Sequence, residues 1–247
     1  MSDLGPIFFY NGTEPTGPAT VPITIRGVGD DCSNPPQPVI ATYQVRTPDD
    51  TNRPATSGTD YLPIPSKQSQ PLYGYHAQGP TEQPDNVPIQ PDFEPEPVIE
   101  EAEALISGST GTREVPWDVP VYIIDNDGLD RASFEHGGPY ERAEIYGSLV
   151  VPVFRAGPAT GAGTYDFSIT GSSASPATEG EDFTLASHTV SFAANERVKF
   201  ITVQLVNDKR SEATEEATFT LSSPGTLLPA DPVSTVVRIL DGAGGAA

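Results

Sequence analysis

The sequence holds one cysteine, Cys32, one methionine and one tryptophan in 247 residues. A single thiol excludes an intrachain disulfide and any zinc centre built on several thiolates. Basic residues are also scarce, with 13 Lys and Arg against 34 Asp and Glu, a formal charge of −21. Such a chain repels phosphate backbones, so nucleic acid is not an expected partner. No apolar run approaches the roughly 18 residues that a membrane-spanning helix requires, and membrane insertion is not expected either. The opening residues, MSDLGPIFFYNGTEP, lack the basic and apolar segments of a secretory signal, so synthesis in the cytoplasm is the expectation. The histidines, His76, His136 and His188, are scattered without HExxH spacing, and no GxSxG elbow occurs. The glycine-rich GPATGAG at 157–163 lacks the Lys-Ser/Thr of a phosphate loop. Catalysis is therefore not expected.

Turn formers are abundant, 23 Gly and 27 Pro, and between them lie short stretches of alternating apolar residues. Tyr165, Phe167 and Ile169 alternate with Asp166 and Ser168. Ile201, Val203 and Leu205 alternate with Thr202 and Gln204, and Ala217, Phe219 and Leu221 with Thr218 and Thr220. A period of two with aromatic and β-branched residues is what a half-buried strand needs. Adding 148–154, 188–192 and 235–240 gives about six or seven short strands, the count of a β-sandwich. Only 99–106 resembles an amphipathic helix.

The first half repeats the second in degenerate form. SGTDYLPI at 57–64 matches EGEDFTLA at 179–186, with Asp60 over Asp182. Glu100-Glu101-Ala102 falls over Glu215-Glu216-Ala217, Asp125 over Asp241, and Arg26 over Arg155, all in one order. The repeat assigns 99–106 to a strand and predicts two domains, 1–128 and 129–247. The segment 66–97 is expected as a long loop insertion, because it is polar and turn-rich and carries Pro88, Pro91, Pro95 and Pro97. Between Lys67 and Arg113 there is no Lys or Arg, although eight acids from Glu82 to Glu103 fall there, so local sequence offers those acids no partner.

These motifs resemble the Calx-β domain. In the second half the resemblance rests on EGEDF (179–183), SFAANE (191–196), VNDKRSEATEEATFTLSSP (206–224) and VVRILDG (236–242), which cover nearly all of 133–242 in order. In the first half it rests on SGTDY, EEAEALIS and YIIDND alone, and the FxxxE element is not recognisable. The resemblance implies an all-β chain of two tandem immunoglobulin-like antiparallel sandwiches with little helix. It also implies calcium ligands at one end of each sandwich. Carried across residue by residue, they are Glu14, Asp60, Asp92, Glu96, Glu100, Asp125 and Asp127 in the first domain. In the second they are Glu144, Asp182, Asp208, Glu212, Glu215 and Asp241. Asn207, and Gly242 after Asp241, depart from the acid-rich pattern, so the first domain, with two acids in Asp125-Asn126-Asp127, is the stronger candidate.

A tandem of such modules without catalytic groups points to a structural or adhesive accessory protein, held by other structural proteins of a large multi-copy assembly. The family is mostly extracellular, yet the opening residues are not expected to act as an export signal. A bacteriophage virion protein of the capsid surface or tail, made in the cytosol and acting outside, satisfies both. The alternative is a calcium-responsive binding module of a larger bacterial surface or secreted protein.

Overall fold

The computed structural model describes residues 10–13, 19–26, 40–49, 53–72, 80, 82–90, 96–110, 117–172, 174–208, 210, 212–222 and 228–241. The chain divides into two compact units, Met1–Phe93 with Ile99–Ile124, and Glu94–Val98 with Asp125–Ala247.

The first unit contains β1 (Tyr10–Thr13), β2 (Ala19–Arg26), β3 (Ile40–Arg46), β4 (Ile64–Gln68), β5 (Glu82–Ile89), β6 (Ile99–Thr110) and β7 (Trp117–Ile124). They form a five-stranded sheet in the order β1-β7-β6-β3-β4 and a ribbon, β2-β5. Val21, Ile23, Val87 and Ile89 of the ribbon and Tyr43, Val45, Ala102, Val121 and Ile123 of the sheet belong to one buried apolar cluster.

The second unit contains β8 (Arg131–Phe134), β9 (Tyr140–Ala143), β10 (Ser148–Ala156), β11 (Gly163–Gly171), β12 (Phe183–Leu185), β13 (Thr189–Phe192), β14 (Val198–Leu205), β15 (Glu215–Ser222), β16 (Leu228–Pro229) and β17 (Ser234–Leu240). Its sheets run β12-β14-β10-β8-β16 and β13-β11-β15-β17-β9. The predicted alternation holds: Tyr165, Phe167, Val203, Ala217, Phe219 and Leu221 are buried, while their polar neighbours face outward. Phe219 stacks on Phe167, with ring centroids 5.6 Å apart and planes at 14°. Among the described residues the only helical element is a 3-10 turn, Glu144–Tyr146.

The chain is thus all-β, and the units repeat one another strand for strand. The order β1-β7-β6-β3-β4 recurs as β9-β17-β15-β11-β13, and the ribbon β2-β5 recurs as β10-β14, to which the second unit adds β12, β8 and β16. β1 pairs in parallel with β7, Tyr10 with Val121, and its counterpart β9 pairs in parallel with β17, Tyr140 with Val237. The stretch 99–106 is strand, as the repeat required.

One expectation is corrected. The segment 66–97 is not simply a loop, since it holds the end of β4 and all of β5. Its prolines are tolerated because Pro84, Pro88 and the partner strand's Pro22 fall on one alternate set of pairs, with Thr24, Thr20 and Asn86. In an antiparallel ladder that set points its backbone groups away from the partner, so no ladder bond needs the missing N–H. The carbonyl of Pro88 accordingly accepts from the Leu62 N–H, outside the ribbon. Two acids of this region, Asp85 and Glu103, find partners on strands distant in sequence. Lys67 lies 2.5 Å from Asp85, and Arg46 lies 2.6 Å from Glu103.

The repeated turn is built identically in both units. Thr56 N–H donates to the carboxylate of Asp60, as Thr178 N–H does to Asp182 at 2.6 Å. Gly58 N–H bonds the Tyr61 carbonyl and Gly180 N–H the Phe183 carbonyl, at 2.8 and 2.7 Å. Ala55 bonds the Glu101 carbonyl and Ala177 the Glu216 carbonyl, both at 2.9 Å. Gly58 and Gly180 sit at φ 90° and 94°. No neighbour would meet a Cβ at Gly180, so Gly180→Ala is expected to cost only the left-handed penalty, about 1–2 kcal/mol, read by chemical denaturation.

Candidate metal centre

Four chain segments end at one pole of the second unit, and each delivers acids there. Strand pairing fixes this. β9 runs parallel to β17 with Ala143 beside Leu240, so the residues that follow, Glu144 and Asp241, leave the sheet side by side. β15 runs antiparallel to β17 and begins there, with Glu215 opposite Ile239. Val206 N–H bonds the carbonyl of Asp182 at 2.9 Å, which brings the 178–182 turn to the end of β14 next to Asp208. Glu212 N–H reaches the Asp241 carboxylate at 3.4 Å. Carboxylate oxygens of Asp182, Glu212 and Glu215 lie within 4.8 Å of one another.

The electrostatics follow from this crowding. Glu144 is 4% exposed. Burial raises its pKa, and the nearby carboxylates of Glu212, Asp241, Asp208 and Asp182 raise it further. Burial, then Asp182, Glu212 and Glu144, push the carboxyl of Glu215 up to about 7. Opposing these acids is Arg210, whose Nε lies 3.2 Å from Asp208 Oδ2. All six acids expected in the second domain therefore meet at one place.

The first-domain set is distributed differently. Asp60, 1% exposed, and Glu100 bring carboxylate oxygens within 4.8 Å of each other. Glu14 and Asp92 lie outside the described residues. Asp125 is buried in the second unit, where it accepts N–H bonds from Glu96 at 3.1 Å and Asp127 at 2.6 Å and pairs with Arg131. Burial raises its pKa against those three interactions. Its oxygens already serve to hold local backbone and one arginine. Glu96 and Asp127 contribute backbone donors to that arrangement.

Sequence reasoning did not find Arg210 or Arg131. Each lies within six residues of the aspartate it neutralises, and a cation beside a cluster of acids is the signal that could have shown them. An assembly of carboxylates with little nitrogen and no thiolate suits a hard divalent cation such as calcium, which takes six to eight oxygens. It offers no activated nucleophile.

Residues 125–243 match the Calx-beta domain family. No curated protein matches the chain. Among solved structures, the apo form of the Calx CBD1 domain is similar at 23% identity and a TM-score of 0.41, covering 46% of this chain and 98% of that one. CBD12 from CALX1.2 is similar at 18% identity and a TM-score of 0.37, covering 94% of this chain and 97% of that one. The calcium binding domain CBD12 of CALX1.1 matches at 18% identity and a TM-score of 0.33, with 94% and 97% covered.

Proposed function

We propose, from the match of residues 125–243 to the Calx-beta domain family, that the six-acid pole of the second unit is a calcium site. The chain would then work as a calcium-responsive module of contact, in keeping with an accessory role among other structural proteins. One observation carries the reading. Glu144 is buried, and the carboxylates of Glu212, Asp241, Asp208 and Asp182 crowd it. A protein stabilises such a group by protonating it or by supplying a cation, and at neutral pH the cation is the better solution for six acids together. Calcium would draw on Glu144, Asp182, Glu212, Glu215 and Asp241, with Asp208 at the rim.

Thermal unfolding tests this. Calcium at about 100 times its dissociation constant is expected to stabilise the second unit by about 2.7 kcal/mol relative to chelator, through binding linkage alone. Asp182→Asn should remove most of that increment. Equal melting curves with calcium and with chelator would rule the site out.

A further inference from the structure

The acids of the pole are not equivalent, and the difference lies in what occupies their oxygens. Asp182, Glu212 and Glu215 turn carboxylate oxygens toward one another. Asp208 does not belong to that trio. Its Oδ1 accepts the backbone N–H of Arg210 at 2.8 Å, and its Oδ2 faces the Arg210 guanidinium at 3.2 Å. One residue thus holds both oxygens of Asp208, by a main-chain donor on one side and a side-chain cation on the other. The two residues are only two apart in sequence, so the closure costs little chain entropy. Arg210 is mostly exposed, with 79% of its side chain accessible. It is therefore a charge that can leave. Its backbone bond would persist when the guanidinium swings away, so Asp208 would keep its position and offer Oδ2 to an ion.

Resting on the calcium reading above, we propose that Arg210 is a built-in competitor for the cation, holding Asp208 out of the ligand set until calcium displaces it. The guanidinium supplies part of the charge neutralisation that the crowded acids need before metal arrives. Exposed pairs of this kind contribute little, so the guard is weak by construction and lowers affinity instead of preventing binding. It also makes affinity depend on salt in a specific way. Ionic strength loosens the Arg210–Asp208 pair, which offsets part of the screening that weakens calcium itself.

The test is calcium titration by isothermal calorimetry on the full chain, with the Asp182→Asn variant identifying the heat of this pole. Arg210→Gln is expected to bind calcium about two- to fivefold more tightly at low salt, the range an exposed ion pair allows, with the gain shrinking at high salt. Asp208→Asn should weaken binding. Arg210→Gln added to Asp208→Asn should bring no further tightening, because the two act through one contact. An unchanged or weaker affinity in Arg210→Gln, with the parent chain binding, overturns this inference alone. Tightening that survives in the Asp208→Asn background also overturns it, since the effect would then be general charge. A parent chain that takes up no calcium overturns the calcium reading and this inference together.

Discussion

Replacing Arg155 by alanine is expected to lower the stability of the second unit by about 3–5 kcal/mol, the cost of breaking a buried ion pair from one side. Arg155, at the end of β10, is fully buried among apolar strands, and its Nη2 lies 2.6 Å from Asp130. The other oxygen of Asp130 accepts the N–H of Ala159 at 2.7 Å, in a turn where Ala159 takes φ 49°. Losing the guanidinium strands the Asp130 carboxylate and opens a cavity beside Tyr165, whose pKa burial already pushes up to about 12. Arg197 cannot replace it. Its Nη1 already donates to the carbonyls of Arg155 and Gly157, and burial lowers its pKa. The unfolding midpoint of this unit should fall by about 10–20 °C, read by calorimetry. Asp130→Ala combined with Arg155→Ala should cost less than the two changes summed, since the residues share one interaction. Additive costs would show that Arg155 matters only as packing.

How much of this was legible depends on the range over which each feature is encoded. The turn of Asp182 was readable because its chemistry is local: a carboxylate four residues from the N–H it accepts, and a glycine where φ must be positive. The FxxxE element is local too, since Glu196 closes the turn between β13 and β14 on the Ala193 N–H at 2.8 Å with Asn195 at φ 63°. Strands of the second half announced themselves by alternation. β8, β9, β12 and β16, each of four residues or fewer, did not. β5 was hidden by its prolines. Proline counts against a strand in any single sequence, and only the pairing with β2 shows that Pro84 and Pro88 occupy the outward set. Among the acids, the sequence distinguishes a carboxylate from a neutral residue but not its neighbour in space. Asp125 and Asp241 occupy equivalent ends of β7 and β17, yet Asp125 meets Arg131 while Asp241 meets Glu212. That difference arises from tertiary structure.

Glu144→Gln is expected to act in opposite directions on the two states of the second unit. Without calcium it should raise the unfolding midpoint, because it removes a buried charge surrounded by like charges. With calcium it should lower affinity at least as much as the roughly 10- to 100-fold that losing a ligand's supporting partner costs, since it removes a ligand itself. The same logic fixes the pH dependence of the parent chain. In the folded unit burial and the neighbouring acids push Glu215 up to about 7 and raise Glu144 as well, both above the ordinary glutamate value that the unfolded chain retains. As pH rises from about 4.5 to 7 the unfolded chain loses these protons before the folded one does. The metal-free unit therefore becomes less stable across that window, and its stability levels off above it. Bound calcium needs the carboxylates ionised, so its stabilising increment should grow over the same interval. Thermal melts at a series of pH values, with calcium and with chelator, would show curves that diverge as pH rises. Parallel curves, or a chelated protein that gains stability between pH 5 and 7, would mean that these acids do not crowd one another as the strand pairing places them.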